Sequence, residues 1–259
     1  MRAALFRNVF VIGAPYSGST LLGRLLASHS RIACAGELGL LGQAIAHRRP
    51  CSCGRLVPDC PFWRRLLPSL PEGSHRRYRP ADYERVRGAL NADVLVDLSK
   101  ALCWRMVRWP WSPWWNSPTG FLYLVRDSRA VIASDLRRDQ TLAGALHKHF
   151  KWARRFEGLA VAHSERALVV HYENLCAAPE AQLRRICSWI GVAYEPGMAR
   201  LGGRQHHFAH SSRSSYAQTS VNEIRLDERW REELQPTVRA EVERRMRDRL
   251  FDRERYLAA

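Results

Sequence analysis

The chain has 259 residues, 46% of them apolar, and a formal net charge of +16 from 41 Lys and Arg against 25 Asp and Glu, so it can bury a large core and suits an anionic partner. No apolar run approaches about 18 residues and no cleavable leader pattern opens the chain, so neither a membrane span nor export is expected, and the location reads as cytoplasmic. The positive charge is spread along the chain and is almost all arginine, with Lys100, Lys148 and Lys151 the only lysines; this argues against a nucleic-acid partner and gives weight to any lysine inside a motif.

Residues 8–12, NVFVI, form a short β-branched run suited to a buried strand. Gly13, Ala14, Pro15, Tyr16, Ser17, Gly18, Ser19 and Thr20 then make a turn-rich loop, and apolar residues at 21, 22, 25 and 26 continue at helical spacing. A strand, a Gly/Ser loop and a helix N-terminus make an anion site, because the first N–H groups are unpaired and the helix dipole favours negative charge. Gly13-x4-Gly18-Ser19-Thr20 nearly matches a Walker A loop but has Ser19 where that motif has its lysine. The loop can therefore hold phosphate without the clamp that a nucleoside triphosphate requires.

Ile32–Ala35 reads as a second strand, followed by Glu37 at the opening of a helix, where a carboxylate suits the dipole. Cys51, Cys53 and Cys60 cluster in PCSCGRLVPDCPFW. They resemble part of a zinc site, but no fourth ligand stands at close spacing, so a buried, inert group is expected and no metal. An odd total of seven cysteines without a leader argues against a disulfide framework. Residues 48–80 read as an irregular lid.

Pro80 opens a helix with Tyr83, Val86 and Leu90 on one side, and DVLVDLSK follows as a core strand with Asp97, Ser99 and Lys100 at its carboxyl end. Trp104, Trp109, Trp111, Trp114 and Trp115 crowd a stretch broken by prolines, so helix is expected to end near Val107. The 104–119 loop suits either an acceptor pocket or a loop folded onto the core. FLYLV at 121–125 is a strand, and Ser128 is placed to cap the next helix, with Arg126 before it and Ser134 two turns on. The helical stretch from Thr141 carries His and Lys expected on a solvated face. ALVVHYENL is the last strand, ending in Tyr172, Glu173 and Asn174, and Pro179 to Gly191 bound a helix. A polar loop at 202–216 carries Arg204, His206, His207, His210 and Arg213, and a terminal helix from Asp227 restarts at Pro236. The pattern predicts one α/β domain over 1–259: three layers around a mostly parallel, doubly wound sheet with a P-loop-like phosphate site.

Together the motifs resemble a bacterial sulfotransferase that uses 3′-phosphoadenosine 5′-phosphosulfate (PAPS). GAPYSGSTLL is similar to that family's 5′-phosphosulfate loop, LVRDSRAVIASDLRR to its 3′-phosphate motif, and VHYENLCAAPEAQLRRICSWIGV to the conserved end of its domain. The resemblance implies PAPS as co-substrate, 3′,5′-bisphosphate (PAP) as product and no metal. It assigns residues 13–20 to the phosphosulfate, Arg126 and Ser134 (134 − 126 = 8) to the 3′-phosphate and Tyr172 to the adenine; Arg213 is a further candidate for the 3′-phosphate by its place in the late basic loop. Glu37 matches the base of protein-tyrosine sulfotransferases, 21 residues after the loop's usual basic position (37 − 16 = 21). That basic position is Tyr16 here, which brings no cation at neutral pH, and Lys100 is the natural substitute. The acceptor is expected to be a small molecule or glycan, with no nucleic acid or integral membrane partner. A P-loop kinase or NTPase, or a non-catalytic basic module binding polyanions, are the competing readings.

Overall fold

Five apolar runs pair into one parallel sheet in the computed structural model, which describes residues 5–70, 78–202, 205–209 and 223–247. The strands are β1 (Asn8–Ile12), β2 (Ile32–Cys34), β3 (Val94–Asp97), β4 (Thr119–Val125) and β5 (Ala167–His171), in the order β2-β3-β1-β4-β5. Central β1 has β3 on one side and β4 on the other, with Phe10 opposite Asp97 and Phe121. The strand order reverses around β1, and the carboxyl edge at such a reversal is where parallel sheets open a ligand crevice.

Alternation along the strands feeds two cores. Val9, Val11, Val94, Val96, Leu122 and Leu124 face α1 (Ser19–Ala27), α8 (Tyr172–Ala177) and α9 (Pro179–Ile190) through Leu22, Leu25, Leu175, Leu183 and Ile186. Phe10, Ile12, Leu95, Phe121 and Tyr123 face the other way, onto Tyr83 and Val86 of α4 (Pro80–Ala89), Leu102 of α5 (Lys100–Val107) and Phe156 of α7 (Leu142–Ala162). This is the predicted three-layer, doubly wound architecture. Each fully buried aliphatic or Phe side chain contributes about 1.5–3 kcal/mol by leaving water. Among the described residues no helix is long and apolar enough to cross a membrane.

The helix boundaries follow local chemistry. α9 starts at Pro179, whose missing N–H is no loss there, and stops at Gly191 with φ +89°, the left-handed cap that glycine adopts without strain. α5 ends at Val107, before Pro110. Two expectations are corrected. Asp127, not Ser128, caps α6 (Ser128–Leu136), its carboxylate accepting from the Arg129 N–H. Ser128 is instead the first residue of the helix, and its hydroxyl meets His149 Nε2 at 2.8 Å. The His and Lys residues of α7 do not all face solvent: His149 is buried, and Lys148 is half-covered and paired with Asp135 at 2.7 Å. The first half of α7 packs on α6 and the C-terminal helix, with Ala145, Leu146 and Phe150 against Ile132 and Val242, which carries His149 in with them.

The tryptophan stretch divides. Trp114 is buried edge-on to Phe10 and Tyr83, while Trp115 stacks on His163, and Arg166 donates to the carbonyls of Trp115 and Ser117. Pro118 accepts from the N–H groups of Arg7 and Asn8. Residues 114–118 therefore run at the amino edge of the sheet, where β1, β4 and β5 begin. Trp109 and Trp111 stack on each other in the open at 5.1 Å.

Candidate active site

The loop between β1 and α1 curls over the middle of the sheet because glycines stand at its two tightest points. Gly13 has φ +144°, and a Cβ there would lie 2.4 Å from the Leu124 carbonyl oxygen. Gly18, the α1 N-cap, has φ +95°, and a Cβ there would enter the Tyr172 ring at 2.3 Å. Both positions exclude other residues by conformation and by space. Tyr16 also adopts a left-handed conformation, φ +67°, which aims its side chain out of the loop. Inside the curl the Ser17 hydroxyl is buried without a hydrogen-bond partner, a costly state that a bound acceptor or donor would relieve.

Two cations reach this loop from different strands. Lys100, at the start of α5, is buried, and its ammonium donates to the Ser19 hydroxyl at 2.8 Å and to the Leu98 carbonyl at 3.5 Å. Burial lowers the Lys100 pKa, while the nearby Glu37 and Asp97 carboxylates oppose that shift. Arg126, at the exit of β4, has a side chain only 6% exposed. It donates to the Tyr16 carbonyl and to the Asp227 carbonyl, each at 3.0 Å, and lies over the Tyr172 ring at 4.3 Å.

Asp227 completes the surroundings of Arg126, its carboxylate 3.2 Å from the guanidinium. Hydrogen bonds from Arg229 and the charge of Arg126 hold the Asp227 pKa well below the usual carboxylate range. Ser134 lies on α6, buried, its hydroxyl accepting from Arg137 at 2.8 Å. Arg137 is in turn ion-paired to Glu233. Ser134 and Arg126 each thus meet arginine or acidic neighbours that sequence reading did not reveal.

Glu37 is half-buried just past β2. Its segment is stitched to the exit of β3: Leu98 N–H donates to the Gly36 carbonyl at 3.0 Å and Gly39 N–H to the Ser99 hydroxyl at 2.8 Å. These bonds bring Glu37 beside Lys100. Asp97 is fully buried below them, accepting from the Ser99 N–H at 2.7 Å, the Ser99 hydroxyl at 2.5 Å and the Tyr83 hydroxyl. Burial raises the Asp97 pKa to about 6 against those hydrogen bonds. The Tyr16 ring, standing where a basic residue was expected, itself collects cations: the Arg138 guanidinium at 4.3 Å and the Lys148 ammonium at 4.8 Å from its centroid.

The structure thus draws Tyr16, Ser17, Gly18, Ser19, Lys100, Arg126 and Tyr172 around one loop, with Glu37 across from Lys100. Arg204, His210 and Arg213 lie outside the described residues. Asp227, Arg138 and Lys148 were missed because nothing in the local sequence marks a residue that reaches a loop more than 100 positions away. Away from this loop, Cys51, Cys53 and Cys60 meet His207, all four ligand atoms within 4.8 Å of one another. The absent fourth partner of the sequence reading therefore stands 147 residues after Cys60.

The model of the Sulfotransferase family matches residues 8–52 and 119–196. Protein-tyrosine sulfotransferase 2 of Gallus gallus is 26% identical over 200 residues, covering 72% of this chain and 51% of that protein. Protein-tyrosine sulfotransferase 1 of Danio rerio is 25% identical over 203 residues, covering 72% and 53%. The chain spans about half the length of these curated relatives. Among solved structures, the sulfotransferase domain from the curacin biosynthetic pathway shares the fold with a TM-score of 0.65 at 19% identity, over 96% of this chain and 97% of that one. Mouse sulfotransferase SULT7A1 complexed with PAP does so with a TM-score of 0.55 at 12% identity, over 97% and 87%. The segments that match the Sulfotransferase family contain the loop of residues 13–20, Glu37, Arg126, Ser134 and Tyr172, on a sheet whose fold is shared with solved sulfotransferases.

Proposed function

We propose that the protein moves a sulfuryl group from PAPS to a hydroxyl or amine of a small-molecule or glycan acceptor, with residues 1–259 acting as one catalytic unit. The observation that carries this reading is the placement of two separate cations on one loop, Lys100 at Ser19 and Arg126 at Tyr16. A nucleoside triphosphate presents one contiguous run of phosphates, whereas PAPS presents a 5′-phosphosulfate and a distinct 3′-phosphate. The donor set fits that ligand: the buried Ser17 hydroxyl lacks a partner, the cradle at Gly13 and Gly18 admits no Cβ, and the Arg126 Nε is also unpartnered.

When bound, PAPS supplies the activated sulfuryl group and leaves as PAP. Gly13, Ala14, Pro15, Tyr16, Ser17, Gly18, Ser19 and Thr20 wrap its 5′ end, offering backbone N–H groups and hydroxyl donors. Arg126 and Ser134 bind the 3′-phosphate and Tyr172 lies against the base; Arg213, a further candidate for that phosphate, falls outside the described residues. Lys100 donates toward the leaving oxygen, where charge develops, taking over from the missing basic residue at position 16. Glu37, which stands beside Lys100, accepts the acceptor's proton. Tyr16 shapes the mouth of the loop and holds Arg138 and Lys148 near it.

Seven free cysteines fit a reducing, cytoplasmic setting in a bacterium. The insertion that begins at residue 48 serves as the lid beside Glu37, whereas the Trp109–Trp111 stack, tied to Trp115 at the amino edge of the sheet, stands away from the phosphate loop and is not part of the acceptor site. The reading is tested by incubating the protein with labelled PAPS and a metabolite extract, alongside tyrosyl peptides, since the curated relatives are named protein-tyrosine sulfotransferases. A labelled product and stoichiometric PAP are expected. ATP or GTP hydrolysis without PAPS turnover would overturn the proposal in favour of an NTPase.

A further inference from the structure

The CSCG segment forms a small turn of its own. Pro50 bridges antiparallel to Leu56, Cys51 N–H donates to the Arg55 carbonyl at 2.7 Å, and Gly54, with φ +88°, turns the chain and donates to the Cys51 carbonyl at 2.9 Å. This geometry aims the Cys51 and Cys53 sulfurs to one side, and Cys60, at the start of helix α3 (Pro61–Leu66), approaches from the other. The 205–209 segment is fastened across the opening. Ser52 N–H donates to the Phe208 carbonyl at 3.1 Å, the Ser52 hydroxyl donates to the His206 carbonyl at 2.6 Å, and Phe208 N–H donates back to that hydroxyl at 2.9 Å. His207 then drops into the cysteine group, its ring stacked on Phe62 at 4.9 Å and 7°.

We infer that Cys51, Cys53, Cys60 and His207 bind one zinc ion in a Cys₃His site. Tetrahedral zinc with Zn–S near 2.3 Å and Zn–N near 2.05 Å requires S···S separations of about 3.8 Å and S···N separations of about 3.6 Å. The observed separations are 3.7 Å for Cys53–Cys60, and 3.3 and 3.8 Å from His207 Nδ1 to Cys60 and Cys51. Four soft or borderline donors this close leave room for a single ion, and three thiolates with one imidazole are a structural zinc set with no open position for chemistry. Cys51 and Cys60 are fully buried, so the ion is shielded from solvent. On binding, the thiols lose their protons to solvent and no oxidation state changes, so no redox partner is needed. The stacked Phe62 ring and the Ser52 hydrogen bonds fix the imidazole for ligation through Nδ1, as surrounding groups do at metal sites.

The ion has a structural consequence beyond the turn. The 205–209 segment also packs on the exit of β2: Ala209 N–H donates to the Ala35 carbonyl at 3.4 Å, and a Cβ at Gly36 would meet Phe208 at 2.9 Å. Zinc therefore clamps the 48–69 insertion and the 205–209 segment together against Gly36, one residue before Glu37.

The test is metal analysis of the untagged protein, purified without added metal or chelator. Plasma mass spectrometry is expected to give close to one zinc per chain, with His207→Ala and Cys53→Ser lowering zinc affinity by about tenfold or more. Cobalt(II) added to apo-protein is expected to give the visible bands of a tetrahedral thiolate site, a readout that survives partial loss of stability in the variants. Folded protein isolated without zinc and unable to take up cobalt, iron in place of zinc, or a Cys53–Cys60 disulfide in the native protein would each overturn the assignment. None of these readouts depends on sulfuryl transfer.

Discussion

Replacing Lys100 with Met keeps the length and apolar stem of the side chain and removes its charge. The ammonium is buried and 2.8 Å from the Ser19 hydroxyl, so it acts on the loop through little water. A unit charge at about 3 Å and an effective dielectric near 20 interacts at about 5.5 kcal/mol. If about half a charge develops on the leaving oxygen in the transition state, the ammonium contributes about 3 kcal/mol there. That corresponds to a fall in turnover of about 10²-fold, in line with the loss of one well-placed donor at a developing anion. The assay is PAP release from labelled PAPS, with water as the slow acceptor, beside PAP and PAPS binding by calorimetry. Turnover is expected to fall, and PAP affinity with it, because the leaving oxygen carries its new charge in the transition state and in the product PAP, while PAPS affinity changes by only a few fold. Turnover above about a third of wild type, with PAPS binding intact, would refute the substitution of Lys100 for the missing basic residue.

Arg126→Ala is expected to weaken PAP binding by about 10- to 150-fold, the worth of a charge-assisted hydrogen bond, whereas Asp227→Asn frees Arg126 of a competing carboxylate and is expected to tighten it; calorimetry on both variants is the check, and weaker binding by Asp227→Asn would count against the assignment. Gly18→Ala places a methyl group inside the Tyr172 ring at a left-handed position, φ +95°, so both the melting temperature and PAP affinity are expected to drop, and unchanged values in both would contradict so tight a cradle. Asp97 takes its proton near pH 6 when folded but near the ordinary 3.8 when the chain is unfolded. The folded state thus binds more protons between those values, and lowering the pH from about 6 to 4 is expected to stabilise wild type relative to Asp97→Asn by about 2 kcal/mol, read from urea midpoints; a difference that stays flat across that window would exclude a raised Asp97 pKa.

The strands were legible because parallel, two-sided burial writes continuous apolar runs such as NVFVI and FLYLV, and because glycine and proline punctuate the segments after them. The loop was legible for the same local reason. Its cations were only partly so. Lys100 and Arg126 stand at strand ends, a position sequence can mark, whereas Asp227, Arg138 and Lys148 reach the site through packing between elements far apart in the chain. The Ser128 cap was misplaced by one residue because Asp127 and Ser128 are both good caps and only the backbone at Asp127, φ −46° and ψ +121°, separates them. His149 was placed outside because its polar neighbours masked the stripe of Ala145, Leu146, Phe150 and Ala153. His207 could not be paired with the cysteines at all, since spacing arguments for metal sites work only when the ligands are near one another in sequence.

That separation has a consequence for the order in which the chain assembles. Strands β3, β4 and β5 all lie between Cys60 and His207. Bringing the ends of a 147-residue span together costs about 4 kcal/mol of loop-closure entropy, and the sheet has already met that cost by the time the histidine arrives. Cys51, Cys53 and Cys60, within ten positions of one another, can capture an ion while the chain is still open. The histidine then joins last, so a filled coordination shell reports a finished sheet, and the cluster works as a latch that closes behind folding rather than a nucleus that starts it.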